Sequence, residues 1–473
     1  MFQSLNETIR EKCRVEPLRP ILLGVSGGPD SIFMLDTLRQ LGYHLIIAHL
    51  DHQLRPESSQ EAEGIKQIAG ELNIHLVMKT CDVKGYALAH KFSIEQAARQ
   101  VRYEFLFEQA RILDVQAVAV AHTADDQIET VLLHLLRGTG LSGLTGMHHR
   151  NLPNAWSQTI PLIRPILDIY RSQILAYLQT RPYQPYQDMS NWDTTYLRNR
   201  IRHELLPILE NYNPRLRQNI YQLSAILSEE ELVIQKATGD AWERCLHSQG
   251  KGYLQFNKPA FLNQPLAIQR RMIRHAFSVL LSGLSDVEFN HIEQAIQFFQ
   301  KPSESSFSQL AAGLSIYAEC GSIFIFDQSA ELPADHWPQI AASELIDLDS
   351  PGSIQLNGPW ILHYTVLGSY QDALLNSDPY QAWLDFDQLE QPLSLRCRQS
   401  GDRFRPLGLA GKQIKLSDFM INHKLPQRAR SIWPLVASQN KIIWTPGFQI
   451  AYAARLTPHT KRILHLHLVS RPV

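Results

Sequence analysis

The six residues Ser26-Gly27-Gly28-Pro29-Asp30-Ser31 bring two glycines, two hydroxyls and a carboxylate into one turn. Gly27 and Gly28 permit a tight reversal and let the backbone approach a ligand closely. A helix starting here has free N–H groups and a dipole that favour an anion. Ser26 and Ser31 add hydroxyl donors. Asp30 adds a carboxylate, which beside phosphates suggests a Mg2+ ligand. The alternative is a plain strand-to-helix turn in which Asp30 only caps its helix.

Rival readings of the glycines are weaker. The Walker pattern GxxxxGK[ST] is absent, which disfavours ordinary P-loop nucleotidases. Residues 24–28 fit GxSxG, the nucleophile elbow of α/β-hydrolases, with Ser26 as nucleophile. An elbow needs several sheet strands before it, and the sequence offers one. Residues 138–143 fit GxGxxG but follow a helical pattern, so the dinucleotide-binding context fails.

The elements around the turn must hold it in place. Residues 20–25 (PILLGV) form an apolar run, followed by the turn and a helical pattern to Gln40. Residues 43–50, 74–79 and 115–121 read as further buried strands, alternating with helical patterns at 58–72, 93–113 and 124–137. Ser93 with Gln96 reads as a capping box. The alternation argues for an α/β fold, a parallel sheet with helices on both faces. From residue 213 the pattern is mainly helical, at 216–237, 265–281 and 287–299, before β-like runs at 321–327 and 360–366. A last α+β unit carries strand-like pieces at 393–398, 441–444 and 463–469. The expected division is 1–212 (catalytic), 213–330 (mainly helical), 331–390 (connecting, β-rich) and 391–473 (basic C-terminal).

Composition narrows the classes. With 473 residues, 44% hydrophobic, the chain has core enough for two to four domains. Its five cysteines include no CxxC pair, so neither a disulfide framework nor a zinc site is expected, and a reducing cytosol is. No apolar run approaches the roughly 18 residues of a membrane span. The net charge of −1 advertises no overall basic field.

SGGPDS after an apolar strand resembles the PP-loop of the N-type ATP pyrophosphatases, which cleave ATP to AMP and pyrophosphate to adenylate a substrate. Within that group, further segments are similar to the tRNA(Ile)-lysidine synthetase family. They are residues 49–55 (HLDHQLR), 95–103 (EQAARQVRY), 121–130 (AHTADDQIET), 137–140 (RGTG), 164–166 (RPI), 188–191 (DMSN) and 196–203 (YLRNRIRH). Residues 401–406 (GDRFRP) and 412–419 (KQIKLSDF) resemble that family's C-terminal domain. The likeness spans nearly the whole chain, although residues 211–391 offer few landmarks. It implies a ligase that forms a carbon–nitrogen bond between L-lysine and the wobble cytidine of the isoleucine tRNA with a CAU anticodon. The cytosine carbonyl oxygen attacks the α-phosphate of ATP and releases pyrophosphate. The lysine ε-amine then attacks carbon 2 of the adenylated cytidine and expels AMP, giving lysidine. ATP and Mg2+ are the implied cofactors and the cytoplasm the implied location. The oligomeric state is left open, with a homodimer as one option.

Site roles follow from that reaction. Ser26, Gly27, Gly28, Pro29, Asp30 and Ser31 hold the pyrophosphate portion, with Asp30 on Mg2+. Asp51 and His52 line the nucleotide pocket, because ligands of such sheets sit beyond the strands' C-terminal ends. Arg102 is the candidate for the α-phosphate, against a merely salt-bridged arginine. Asp126 and Glu129, three apart on a predicted helix, share one face and suit a cationic substrate such as lysine. One of them can accept a proton from the amine, which must be neutral to attack although free lysine is mostly protonated near pH 7. The alternative is a solvated acidic helix start. His122 is either a structural histidine ending its strand or a catalytic one.

Arg198, Arg200 and Arg202 make a basic segment beside the catalytic domain. Residues 396–430 carry nine Lys or Arg against two Asp, a local charge of +7. Such segregation suits a phosphate backbone. Arg198, Arg202, Arg403, Arg405, Lys412 and Lys415 are therefore the expected tRNA contacts. Phe404, Phe419 and Trp433 either stack on bases or, as expected, belong to the core.

Overall fold

The runs ILLG, LIIA and AVA are apolar at every position rather than at alternate ones, which demands a core on both faces of a sheet. The computed structural model of the chain meets that demand. It describes residues 2–53, 58–183, 185–186, 194–281, 287–301, 305–310, 313–319, 321–334, 337–341, 344–348, 350–368, 378–409 and 411–471. Leu54 and Arg55, the DMSN segment at 188–191 and Cys320 lie outside the described residues. Two compact units divide the chain, Met1–Gln235 and Lys236–Val473.

In the first unit the order is α1 (Phe2–Thr8), β1 (Ile21–Gly24), α2 (Pro29–Gln40), β2 (Leu45–Asp51), α3 (Ser58–Glu71), β3 (His75–Thr80), α4 (Val83–His90), α5 (Ile94–Ile112), β4 (Ala117–Ala119) and α6 (Ala124–Arg137). Then come α7 (Leu141–Leu144), β5 (Arg150–Asn151), β6 (Leu162–Ile163), α8 (Arg171–Leu178), α9 (Leu197–Arg200), a π-turn (Ile201–Leu205), α10 (Leu206–Tyr212) and α11 (Leu216–Cys245), whose last residues from Lys236 belong to the second unit. The sheet order is β3-β2-β1-β4-β6-β5. Neighbours from β3 to β6 are parallel, and β5 is antiparallel at the edge.

Alternate strand residues feed opposite cores, as the pleat requires. Ile21, Leu23, Leu45, Ile47, Ala117 and Ala119 pack with Phe33 of α2, Ile65 of α3 and Ile174 of α8. Leu22, Ile46, Ala48 and Val118 pack on the other face with Val101, Phe105 and Leu106 of α5. The capping box of α5 is present, with Ser93 and Gln96 each accepting from the other's backbone N–H. The chain leaves β1 for β2 and β3 on one side and returns to β4 on the other. The loops after β1 and β4 diverge, which opens a crevice at the C-terminal ends of the strands.

The second unit holds features that helical periodicity alone did not reveal. A hairpin, Leu246–Gly250 with Tyr253–Asn257, joins strands Ser322–Phe326, Ser315–Glu319 and Ser305–Gln309 in one antiparallel sheet. Helices Leu266–Leu280 and Phe289–Gln300 accompany it, and Phe299 reaches strand residue Phe256 through the ring of Phe261. Two further antiparallel sheets share one core, in which Leu362, Leu464 and Leu466 meet Leu395, Leu435 and Trp444. Phe404, Phe419 and Trp433 belong to that core, at 1%, 1% and 3% exposure.

Leu22 and Leu23 are sequence neighbours and both have 0% exposure. In a half-solvated strand one of the two would tolerate truncation. Here Leu22→Ala and Leu23→Ala should each lower the unfolding free energy by about 2–5 kcal/mol, read from urea midpoints.

Candidate active site

The turn after β1 is built around Gly27, whose φ of +84° disfavours any residue with a Cβ. Gly28 takes the N-cap position of α2, offers no side chain to cap it, and Pro29 opens the helix. The hydroxyl of Ser31 donates to the Gly28 carbonyl at 2.9 Å, and Ser26 donates to Ser31 at 3.4 Å. The first N–H groups of α2 thus lack a side-chain cap and stand ready for an anion.

Asp30 does not cap its own helix. Its Oδ1 is buried and has no hydrogen-bond partner, while Oδ2 lies 3.9 Å from Arg171. Burial pushes the carboxyl up to about 6, and Arg171 only partly opposes it. Arg171, which carried no sequence signal, also donates its backbone N–H to Asp125 at 2.8 Å. It therefore ties the β1 loop to the β4 loop.

At the end of β2, the Asp51 carboxylate accepts the Gln53 N–H at 2.9 Å and holds Gln53 at φ +50°. His52 follows at the same sheet edge and is half-buried. Earlier in the same strand, His49 Nδ1 meets the Val25 carbonyl at 2.9 Å, tying β2 to the turn after β1.

The other wall of the crevice is the start of α6. Thr123 and Asp126 form its capping box, with Asp126 Oδ2 accepting the Thr123 N–H at 2.9 Å. Glu129 has 0% exposure. Asp126 and Glu129 do share a face, and two arginines occupy it. Arg198 donates to Glu129 at 2.9 Å and Asp126 at 3.0 Å. Arg202, in the π-turn, donates to Glu129 at 2.5 and 3.0 Å and to Asp126 at 3.3 Å. Burial alone would raise the Asp126 carboxyl, but Arg198, His122, the Thr123 N–H and Arg202 together hold it below its ordinary value. Asp125 faces away from this pair and binds Arg217 at 3.0 Å. The sequence placed the carboxylates together and the arginines nearby. It gave no sign that they would neutralise each other.

His122 stands between β4 and α6. Its Nδ1 accepts from Nε of Arg164 at 3.0 Å, and Arg164 also donates to the His148 carbonyl at 2.8 Å. Arg164 belongs to the RPI segment, which the sequence marked only as a motif and did not connect to His122. Arg102 lies over the Tyr103 ring at 5.1 Å, with its Nε buried and without a hydrogen-bond partner.

The second unit sorts the basic residues of 396–430. Arg396 is buried and paired with Asp402 at 2.8 and 2.9 Å. Arg428 binds Glu319 and the Leu332 and Pro333 carbonyls. Neither contributes to a surface field. Arg398, Arg403, Arg405, Lys412, Lys415 and Lys424 are exposed, whereas Asp402 is drawn inward by Arg396. Arg403 and Lys415 are direct cross-strand partners in the ladder Arg403–Phe404 with Ile414–Lys415. Arg403 and Arg405 are exposed on either side of Phe404, which turns into the core.

The raised carboxyl of Asp30 has a consequence for stability. A carboxyl whose folded value lies above its unfolded value of 3.8 favours folding at low pH, and that contribution is lost as pH rises toward 6. Asp30→Asn should therefore stabilise the protein at neutral pH by about 1–3 kcal/mol. The gain should vanish below about pH 4, in melts recorded across that range.

Comparison with known proteins covers both units. Residues 2–209 match the PP-loop domain family, and residues 393–468 match the TilS substrate C-terminal domain family. The tRNA(Ile)-lysidine synthase of Dehalococcoides mccartyi is 33% identical over 98% of this chain and 98% of its own length. Those of Symbiobacterium thermophilum and Caldanaerobacter subterraneus are 30% and 27% identical, covering 94% and 98% of this chain and 93% and 97% of theirs. With a PP-loop at the β1–β4 crevice and this likeness from end to end, the chain belongs to the tRNA(Ile)-lysidine synthase family.

Proposed function

We infer that this chain uses ATP to join L-lysine to the wobble cytidine of the CAU-anticodon isoleucine tRNA, through an adenylated cytidine, with release of pyrophosphate and AMP. The observation that carries the reading is the pairing of two unlike walls at one crevice. One is an uncapped helix start with an orphaned carboxylate. The other is a cluster of two carboxylates and two guanidiniums.

The backbone around Gly27 and Gly28, with the hydroxyls of Ser26 and Ser31, receives the β- and γ-phosphates. The buried, unpartnered Oδ1 of Asp30 fits a Mg2+ ion, which needs only one or two carboxylates when phosphates supply further oxygens. Mg2+ bound there offsets the phosphate charge. Asp51 and His52 border the nucleoside end. Arg102, with its Nε unsatisfied, is assigned to the α-phosphate.

Asp126, Glu129, Arg198 and Arg202 offer both charges that an amino acid carries. A carboxylate oxygen suits a lysine ammonium, and a guanidinium suits its carboxylate. The Arg198 side chain is 35% exposed, so it can hold Glu129 and still present an edge to a tRNA phosphate. Arg403, Arg405, Lys412 and Lys415 supply a further phosphate footprint. Residues 1–212 are assigned to catalysis, and 213–330 and 391–473 to tRNA binding, with 331–390 connecting them. No described helix is long and apolar enough to cross a membrane. A tRNA substrate assigns the work to the cytoplasm. Light scattering distinguishes a monomer from a homodimer.

The direct test is transfer of labelled lysine into the CAU-anticodon isoleucine tRNA, with the methionine tRNA as control. Label should enter only the isoleucine tRNA, with AMP and pyrophosphate in equal amounts. No label with correctly folded tRNA would overturn the reading. Asp30→Asn, although more stable, should release no pyrophosphate. For the basic ladder, Arg403→Ala with Lys415→Ala should weaken tRNA binding. It should also flatten the dependence of log Kd on log salt by about 0.7–0.9 for each phosphate no longer neutralised.

A further inference from the structure

Arg164 is a buried guanidinium, 6% exposed, that donates to a ring nitrogen and a carbonyl rather than to a carboxylate. Burial lowers its pKa. Placing a cation there is costly unless its hydrogen bonds matter. The bond to His122 has a chemical corollary. Arginine donates and never accepts, so His122 Nδ1 must present its lone pair and the ring proton must sit on Nε2. A second proton could enter only at Nδ1, against the Arg164 N–H.

The groups facing the ring agree. Burial is the main cause holding the imidazole well below its ordinary pKa, with Asp126 of α6 opposing. Arg164, Arg102 of α5 and Arg198 of α9 reinforce the lowering. The sheet order bears on which way Nε2 lies. Arg164 follows β6, which neighbours β4 on the side away from β1. With Nδ1 turned toward Arg164, the opposite edge of the ring faces β1 and the crevice. Among the described residues, no hydrogen bond engages Nε2.

We propose that Arg164 is a positioning residue that fixes His122 as a neutral Nε2–H donor aimed into the crevice, where it hydrogen-bonds a phosphate oxygen of the adenylate. His122 then carries a proton where a base would need a lone pair. It is therefore not the acceptor for the lysine amine. It steadies the charge that grows on the phosphate as AMP departs. The identity of the partner rests on the proposed reaction, whereas the tautomer does not.

Two measurements on the full chain separate these levels. In protein labelled with 15N-histidine, two-bond proton–nitrogen spectra, assigned by loss of one signal in His122→Gln, should show the Nε2–H form with no titration between about pH 6 and 8. An Nδ1–H form, or titration at an ordinary histidine pKa, would overturn the proposal whether or not lysine transfer occurs. In Arg164→Leu the same signal should begin to titrate, and the rate should acquire a new acidic limb. If that variant does not fold, the second measurement decides. His122→Gln places an amide N–H near the Nε2 position and should keep kcat within about tenfold, whereas His122→Ala should lose about 100-fold or more. Equal losses in the two variants would overturn the donor role.

Discussion

Glu129 is a carboxylate with no exposed surface, and a protein interior penalises such a charge by several kcal/mol. It is tolerable because Arg198 and Arg202 both reach it. That need organises much of the first unit. It draws α9 and the π-turn against α6, and it keeps Asp126 ionised through the same two guanidiniums. π-turns inside helical segments are uncommon and collect at functional sites. Here the turn carries Arg202, the donor with the shortest contact to Glu129.

The opposite wall of the crevice follows the reverse strategy. The start of α2 has no side-chain cap, and one oxygen of Asp30 is buried without a donor. Folding leaves these groups dissatisfied, and the shift in the Asp30 carboxyl is the thermodynamic trace of it. One wall is electrostatically complete and the other is not. In the proposed reaction a nucleotide with its cation completes the second wall, so binding free energy is realised there. The first wall is charge-balanced before any ligand arrives.

Much of this was legible in the sequence, for identifiable reasons. Strands apolar at every position announced a doubly covered parallel sheet, and the glycine turn announced the helix start. The three-residue spacing of Asp126 and Glu129 placed them on one face. Side-chain partners were not legible, because they depend on elements far apart in the chain. Arg171 on Asp30, Arg164 on His122 and Arg217 on Asp125 cross 141, 42 and 92 positions. Charge counting overstated the basic field for the same reason, since Arg396 and Arg428 are consumed internally. The hairpin at 246–257 hid because its strands lie between long helices and are only partly apolar.

The opposed Arg403 and Lys415 have a consequence for the proposed grip on tRNA. Like charges facing each other across a ladder repel, so in solution this pair gathers a cloud of small anions. In the proposed contact with tRNA, the arriving polyanion displaces those ions, and association gains the entropy of their release. The cost is that grip becomes a property of the medium as much as of the surface. A cell that changed its ionic strength would loosen or tighten this hold without altering one residue.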